Sequence, residues 1–236
     1  MQKQMFVENI YSSCSLRKVY IFICMLFMNF MPVVAKSDYI KIGDFKYCYD
    51  TDTREASVCE NGYGKYSGDV IIPSNISIDG IDCQVVELKP MLFFLCTDLT
   101  SIQLPKSLKK IGSSCFNTCR ELEEIEIPES VTEIGGKCFQ DCSSLKSLKI
   151  SSTNFSVVGD GLFMGCTSLK KVELPVSVMA IGKEAFKNCS KLSSFALPSS
   201  VKELGDDCFA GCESLAYMDI PAGISKLPNN CFYACI

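Results

Sequence analysis

Cysteine is the side chain with the most chemical potential in this sequence, at sixteen of 236 residues. Seven form one series: Cys96, Cys119, Cys142, Cys166, Cys189, Cys212 and Cys235. Cys115, Cys138, Cys208 and Cys231 each lie four residues ahead of a member of that series. A thiol at such a place can be a nucleophile, a zinc ligand, half of a disulfide, or a small buried apolar residue. A nucleophilic cysteine needs a base, and the sequence contains no His, which also removes the commonest metal ligand. The C-x3-C spacing is not the C-x2-C of a zinc knuckle, and a four-sulfur site would need ligands from two packed segments. Glu123, Glu124 and Glu126 cluster, yet no paired-carboxylate motif or Gly-rich phosphate loop stands out. These observations predict no catalytic residue, no cofactor and no metal site. Leu92, Leu162 and Ala185 stand where other segments carry the earlier cysteine. That exchange favours a buried thiol acting as a core residue. Disulfides are the second reading, with Cys48 and Cys59 the favoured pair, because neighbours along a ladder are awkward for disulfide geometry.

The cysteines are placed by a repeat. From Ile111 the chain meets Phe116, Cys119, Leu122, Ile125, Ile127 and Pro128. The same ruler fits from Leu88, Ile134, Val158, Ile181, Leu204 and Leu227, where the chain reaches Phe232 and Cys235. The starts are 23, 23, 24, 23, 23 and 23 residues apart. A fixed short period predicts a solenoid, each unit burying its apolar face against its neighbours.

Within a unit, residues 122–127 read as a short strand of a parallel sheet, with Leu122, Ile125 and Ile127 inward and Pro128 ending it. Val131 and Ile134 read as a second, shorter extended element. Gly135 is expected to permit a turn, and Lys137 to Cys142 to form a short helical turn carrying Phe139 and Cys142 inward. The outward strand residues then form the candidate binding face. They include Thr100, Ser101 and Gln103 in the first row. Glu123, Glu124 and Glu126 follow, then Lys146 and Lys149, then Lys170, Lys171 and Glu173, with Tyr217 and Asp219 in the last row. Stacked acidic and basic rows read either as ion pairs on a solvated sheet or as a recognition surface.

The run Leu122 to Cys142, L-E-E-I-E-I-P-E-S-V-T-E-I-G-G-K-C-F-Q-D-C, resembles the leucine-rich repeats of BspA-like surface proteins. Tyr66 to Pro73, Y-S-G-D-V-I-I-P, resembles the segment that leads into such repeats. The resemblance covers about residues 66–236. It implies a secreted or cell-surface binding scaffold, often adhesive, whose partner is a protein or a glycan. The alternatives are a structural protein of the cell envelope without a ligand, and an enzyme whose site the sequence does not display.

Ahead of the repeats, Arg17 and Lys18 precede a nearly unbroken apolar run, Val19 to Ala35, ending in Val-Val-Ala. Residues 1–35 read as a cleaved secretory signal, with a membrane anchor as the rival. Residues 36–65 read as a small β cap, because Tyr39–Ile42 and Phe45–Tyr49 alternate in strand fashion and a solenoid end needs covering. The formal net charge of −4 and the 21% charged content give no footprint for nucleic acid, and no later stretch is long enough to span a membrane. The chain stops part-way through a repeat, which reads as a fragment or truncated product and leaves an edge for end-to-end self-association. The expected architecture is a leucine-rich-repeat solenoid, a right-handed coil with a parallel β-sheet, short second strands, short helical turns and an N-terminal β cap.

Overall fold

The computed structural model describes residues 39–59 and 63–235. The expected signal, residues 1–35, lies outside the described residues.

The N-terminal cap is an antiparallel meander of β1 (Tyr39–Ile42), β2 (Phe45–Asp50) and β3 (Glu55–Val58). Strand β3 pairs in parallel with β6 (Ile81–Leu88), so the cap continues directly into the solenoid. From β6 a ladder of two-residue strands runs through β8 (Lys110–Ile111) and β9 (Glu133–Ile134). It stops there. It resumes as β11 (Val157–Val158), β13 (Ala180–Ile181) and β14 (Glu203–Leu204). The gap coincides with the one 24-residue period. The extra residue falls between Ile150 and Val158, where Ser151 replaces the usual Pro. There Ser152 is buried, its hydroxyl facing the Asn154 amide, and Phe155 fills the core place held elsewhere by Leu108, Val131, Val178 and Val201.

The other ladder carries the expected main strands: β4 (Gly68–Ile71) with β7 (Leu99–Gln103), and β10 (Ser147–Lys149) with β12 (Lys171–Glu173). Single bridges join Glu124 to Ser147, Ile127 to Ile150 and Lys171 to Ser194. The strand expected over 122–127 is therefore reduced to bridging residues, although Leu122, Ile125 and Ile127 are buried as expected. The β4–β7 step is longer than a standard coil because the hairpin of β5 (Asn75–Ile78) and β6 is inserted between them.

Two expectations are corrected. Among the described residues there is no helix: the segment from Lys137 to Cys142 is a run of turns. The third and seventh residues after each repeat start have positive φ, for example Ser114 (53°) and Thr118 (65°), or Lys137 and Asp141 (both 58°). A left-handed residue every fourth position is incompatible with a helix. The amides instead bond the following coil: Ser114 N to Gly136 O (3.0 Å), Phe116 N to Cys138 O (2.9 Å) and Thr118 N to Gln140 O (2.7 Å). The second correction concerns Gly135. Its φ is not positive, and its role is close approach. A Cβ there would stand 2.4 Å from Ser113 N, and one at Gly112 or Gly205 would stand 2.4 Å from Pro90 N or Lys183 N. The missing side chain lets consecutive coils touch backbone to backbone.

The core is a set of columns. Phe93, Phe116, Phe139, Phe163, Phe186, Phe209 and Phe232 stack with centroids 5.2–5.7 Å apart and planes within 20°. Tyr66 and Phe45 extend the aromatic cluster into the cap. Stacking adds about 0.5–1.5 kcal/mol per pair beyond burial.

Candidate functional site

The described cysteines are free thiols, and most are buried. In the seven-member series, every sulfur from Cys119 onward donates to the carbonyl of the Phe one coil earlier: Cys119 to Phe93 (3.2 Å), Cys142 to Phe116 (3.1 Å), Cys166 to Phe139 (3.0 Å), Cys189 to Phe163 (3.1 Å), Cys212 to Phe186 (3.1 Å) and Cys235 to Phe209 (3.2 Å). This explains why the place takes Cys rather than Ala or Leu. It wants a small apolar side chain that can also serve a buried carbonyl. Burial holds these thiols protonated, with Cys212, and Cys138 of the second set, pushed up to about 12, which disfavours nucleophilic or metal-binding thiolates. Among the described residues no group of three or more Cys, Asp or Glu could hold a metal ion. Serines play a parallel role at the P-x-S turn. Ser107, Ser130, Ser177 and Ser200 each donate to a carbonyl of the preceding coil, those of Val85, Leu108, Phe155 and Val178.

In the cap, Cys48 lies in β2 and Cys59 directly follows β3, the antiparallel neighbour of β2. Tyr47 pairs with Val58, and Cys59 N bonds Lys46 O at 2.8 Å. That register puts the two side chains on one face as diagonal neighbours. Burial and the neighbouring Cys48 thiol raise Cys59 to about 12.

The ten candidate face residues fall in three outward rows. In the first, Lys146 pairs with Glu123 at 2.5 Å, next to Lys170. The second row runs Glu124, Ser147, Lys171, Ser194. In the third, Lys149 lies opposite Glu173 (3.9 Å), and Lys171 reaches the same carboxylate at 2.6 Å. Lys171 holds Glu173 below its ordinary value, mainly through the hydrogen bond. All these pairs are largely solvent-exposed, so water and salt screen them and they add little to stability. Among the described residues, the Glu124, Glu126 and Lys170 side chains have no ion-pair partner. At the far end Tyr217, 74% exposed, donates to Asp219, which raises the Tyr217 phenol above its ordinary value. At the near end Asp69 accepts from Ser101 (2.6 Å) and Thr100 (3.1 Å), bonds that lower its carboxyl.

An open groove of about 750 Å³ lies on this face. Its lining takes in Glu124, Glu126, Lys149, Lys171 and Glu173, and leaves Glu123, Lys146, Lys170, Tyr217 and Asp219 outside. Sequence reasoning missed Glu129 and Ser151, which also line it. The signal for Ser151 was the broken Pro pattern. Glu129 sits past the strand end and carried none. Among the described residues no ladder joins β7 to residues 122–127, so the groove opens where the main sheet is interrupted.

Columns of Phe and Cys, a close-approach Gly and a strand row set the comparison with known proteins. A family model described as the BspA type leucine rich repeat region matches residues 74–163 and 156–236, in six copies. This chain belongs to that family. Among solved structures, the BspA-type chain is similar to a leucine-rich-repeat protein of T. pallidum, with 34% identity and a TM-score of 0.67, over 75% of this chain and 80% of that one. It is similar to a leucine-rich cell surface protein of Faecalibacterium prausnitzii (26% identity, TM-score 0.63, 77% of this chain) and to a leucine-rich-repeat protein of Bacteroides ovatus (28%, 0.57, 78%). The chain spans about half the length of these last two, 54% of each. Among curated proteins none matches. The family assignment covers the repeats and their fold. Among the described residues no helix is long and apolar enough to cross a membrane.

Proposed function

We propose that this BspA-type chain is a secreted or cell-surface binding scaffold, adhesive toward a protein or glycan ligand, and that it engages that ligand through the outward strand rows. The observation that carries the proposal is the groove among Glu124, Glu126, Lys149, Lys171 and Glu173. It opens on the strand face where no ladder joins β7 to residues 122–127 among the described residues. Regular solenoids offer extended faces whose individual residues are free to vary, because the fold does not use them. The mixed charge, with Glu124 and Glu126 uncompensated, suits a polar ligand held by several hydrogen bonds. Surface placement is supported by the similarity to the Faecalibacterium cell surface protein and by the apolar run before Ala35.

The test is binding of the purified chain to an array of matrix proteins and glycans, beside a variant with Lys146, Lys149, Lys170 and Lys171 changed to Glu. Saturable binding lost in the variant, at an unchanged melting midpoint, places the ligand on the strand rows. Binding retained by the variant moves the site to the turns or the cap. No binding by folded protein favours a structural role without a ligand.

A further inference from the structure

The second set of cysteines follows a pattern the first does not. The fourth residue after each repeat start is Leu92, Cys115, Cys138, Leu162, Ala185, Cys208 and Cys231 in turn. Cysteine occurs there only in consecutive coils, as two adjacent pairs. A core that merely needs a small residue has no reason to pair them. The two pairs also differ. Cys208 and Cys231 bring their sulfurs to 3.3 Å, whereas Cys115 and Cys138 sit in the same register, with Phe116 N on Cys138 O, but show no thiol–thiol hydrogen bond. Cys208 and Cys231 are in register too, with Asp207 N on Asn229 O and Phe209 N on Cys231 O. Coils bonded in this way stack at about the 4.8 Å spacing of a ladder, inside the Cα range of about 4.4–6.8 Å that a disulfide spans, and the 3.3 Å approach of the sulfurs removes the awkward geometry expected of such neighbours from the sequence.

We propose that Cys208 and Cys231 are a redox-active dithiol, oxidised by a low-molecular-weight disulfide to a bond that locks these two coils together. The chemistry is thiol–disulfide exchange. The Cys231 thiolate attacks one sulfur of the external disulfide, which releases one thiol and leaves a mixed disulfide on Cys231. Cys208 loses its proton and displaces the second thiol, forming the Cys208–Cys231 bond. Two electrons pass from the protein sulfurs to the reagent, which leaves as two thiols. The order of attack is interchangeable, because either sulfur can donate to the other across the 3.3 Å contact. The covalent ring so closed contains Tyr217 and Asp219. Oxidation therefore fixes the far end of the strand face, which has no ladder of its own among the described residues.

The experiment incubates the full, folded chain with oxidised glutathione at pH 8, then denatures, alkylates and digests it for tandem mass spectrometry. The expected result is a crosslink joining Cys208 to Cys231, reversed by reductant, with Cys115 and Cys138 alkylated as before. The melting midpoint of the oxidised chain rises by about 5 °C. Cys208→Ala is the matched variant, since Ala185 fills the equivalent place in its own coil. It retains a folded melt, forms no crosslink, and traps glutathione on Cys231. Full alkylation of every cysteine after oxidant treatment overturns the proposal. So does a crosslink through Cys212 or Cys235 in its place, or one that survives in Cys208→Ala.

Discussion

The inward and outward sides of the same coil obey opposite rules. Inward, each coil repeats its neighbour almost atom for atom: Phe on Phe, thiol to Phe carbonyl, Gly against backbone. Outward, successive rows read Thr-Ser-Gln, Glu-Glu-Glu, Lys-Ser-Lys and Lys-Lys-Glu, and adjacent rows share little beyond a few exposed ion pairs. The difference teaches where information resides. The inside fixes a scaffold, and a side chain there is constrained by the coil before and the coil after. The outside is free to vary without cost to the fold, which makes it the place where one such chain can differ from another in what it holds.

Five experiments can break or sharpen that contrast. Phe139→Ala removes a ring from the middle of the column and is expected to cost about 3–5 kcal/mol, read from urea unfolding; a loss no larger than that of a surface substitution would break the contrast outright. Gly205→Ala drives a Cβ to 2.4 Å from Lys183 N and should cost about 1–3 kcal/mol. Gly223→Ala, whose nearest neighbour stands at 3.5 Å, should be close to neutral in the same thermal melts.

Alkaline pH offers a third approach. Cys138 and Cys212 are held near 12 in the folded chain but titrate near 8.5 when unfolded. Their contribution is fully present below the unfolded value and is lost as pH rises above it. Stability should be flat below about pH 8.5 and then fall by up to about 1.4 kcal/mol per pH unit for each such thiol, measured by chemical denaturation from pH 7 to 10.

The two smallest effects concern the surface and the turns. Lys137 is exposed at φ 58°, so Lys137→Gly should gain about 0.5–1 kcal/mol in thermal melts, the relief of the left-handed conformation offset in part by glycine's chain entropy. Glu123→Lys breaks the pair with Lys146 and should change stability by no more than about 0.5 kcal/mol while altering ligand binding, measured side by side on one preparation.

The period, the buried Phe and Cys positions, the outward rows and the cap were all legible in the sequence, because periodicity reports burial directly. The turn geometry was not. Positive φ at the third and seventh places is filled by Met91, Leu95, Ser114, Thr118, Lys137 and Glu184 as readily as by glycine, so no residue type announces it. Hydrogen bonds along the stack overrule local preference there. Gly135 misled for the reverse reason: a glycine forced by its neighbour's backbone looks the same in sequence as one forced by its own φ. The groove was half legible. Its charged strand residues stood out by alternation, whereas Glu129 lies beyond the strand and needs the stacking to bring it near. The direction of the Cys208 and Cys231 sulfurs depends on side-chain torsion, which spacing does not encode.

The single extra residue between Ile150 and Val158 has a consequence for how the chain comes apart. It interrupts the ladder between β9 and β11. The Phe139–Phe163 stack, at 5.7 Å the widest in the column, the β10–β12 ladder and the bonds from Lys137 N, Phe139 N and Asp141 N to Asp160 O, Leu162 O and Met164 O still cross the junction. Cooperativity in a linear array is carried only by the contacts between neighbours, so the boundary is thinned on one face and stays joined through the others. Amide exchange should show low protection confined to residues 151–157, with one common level on either side.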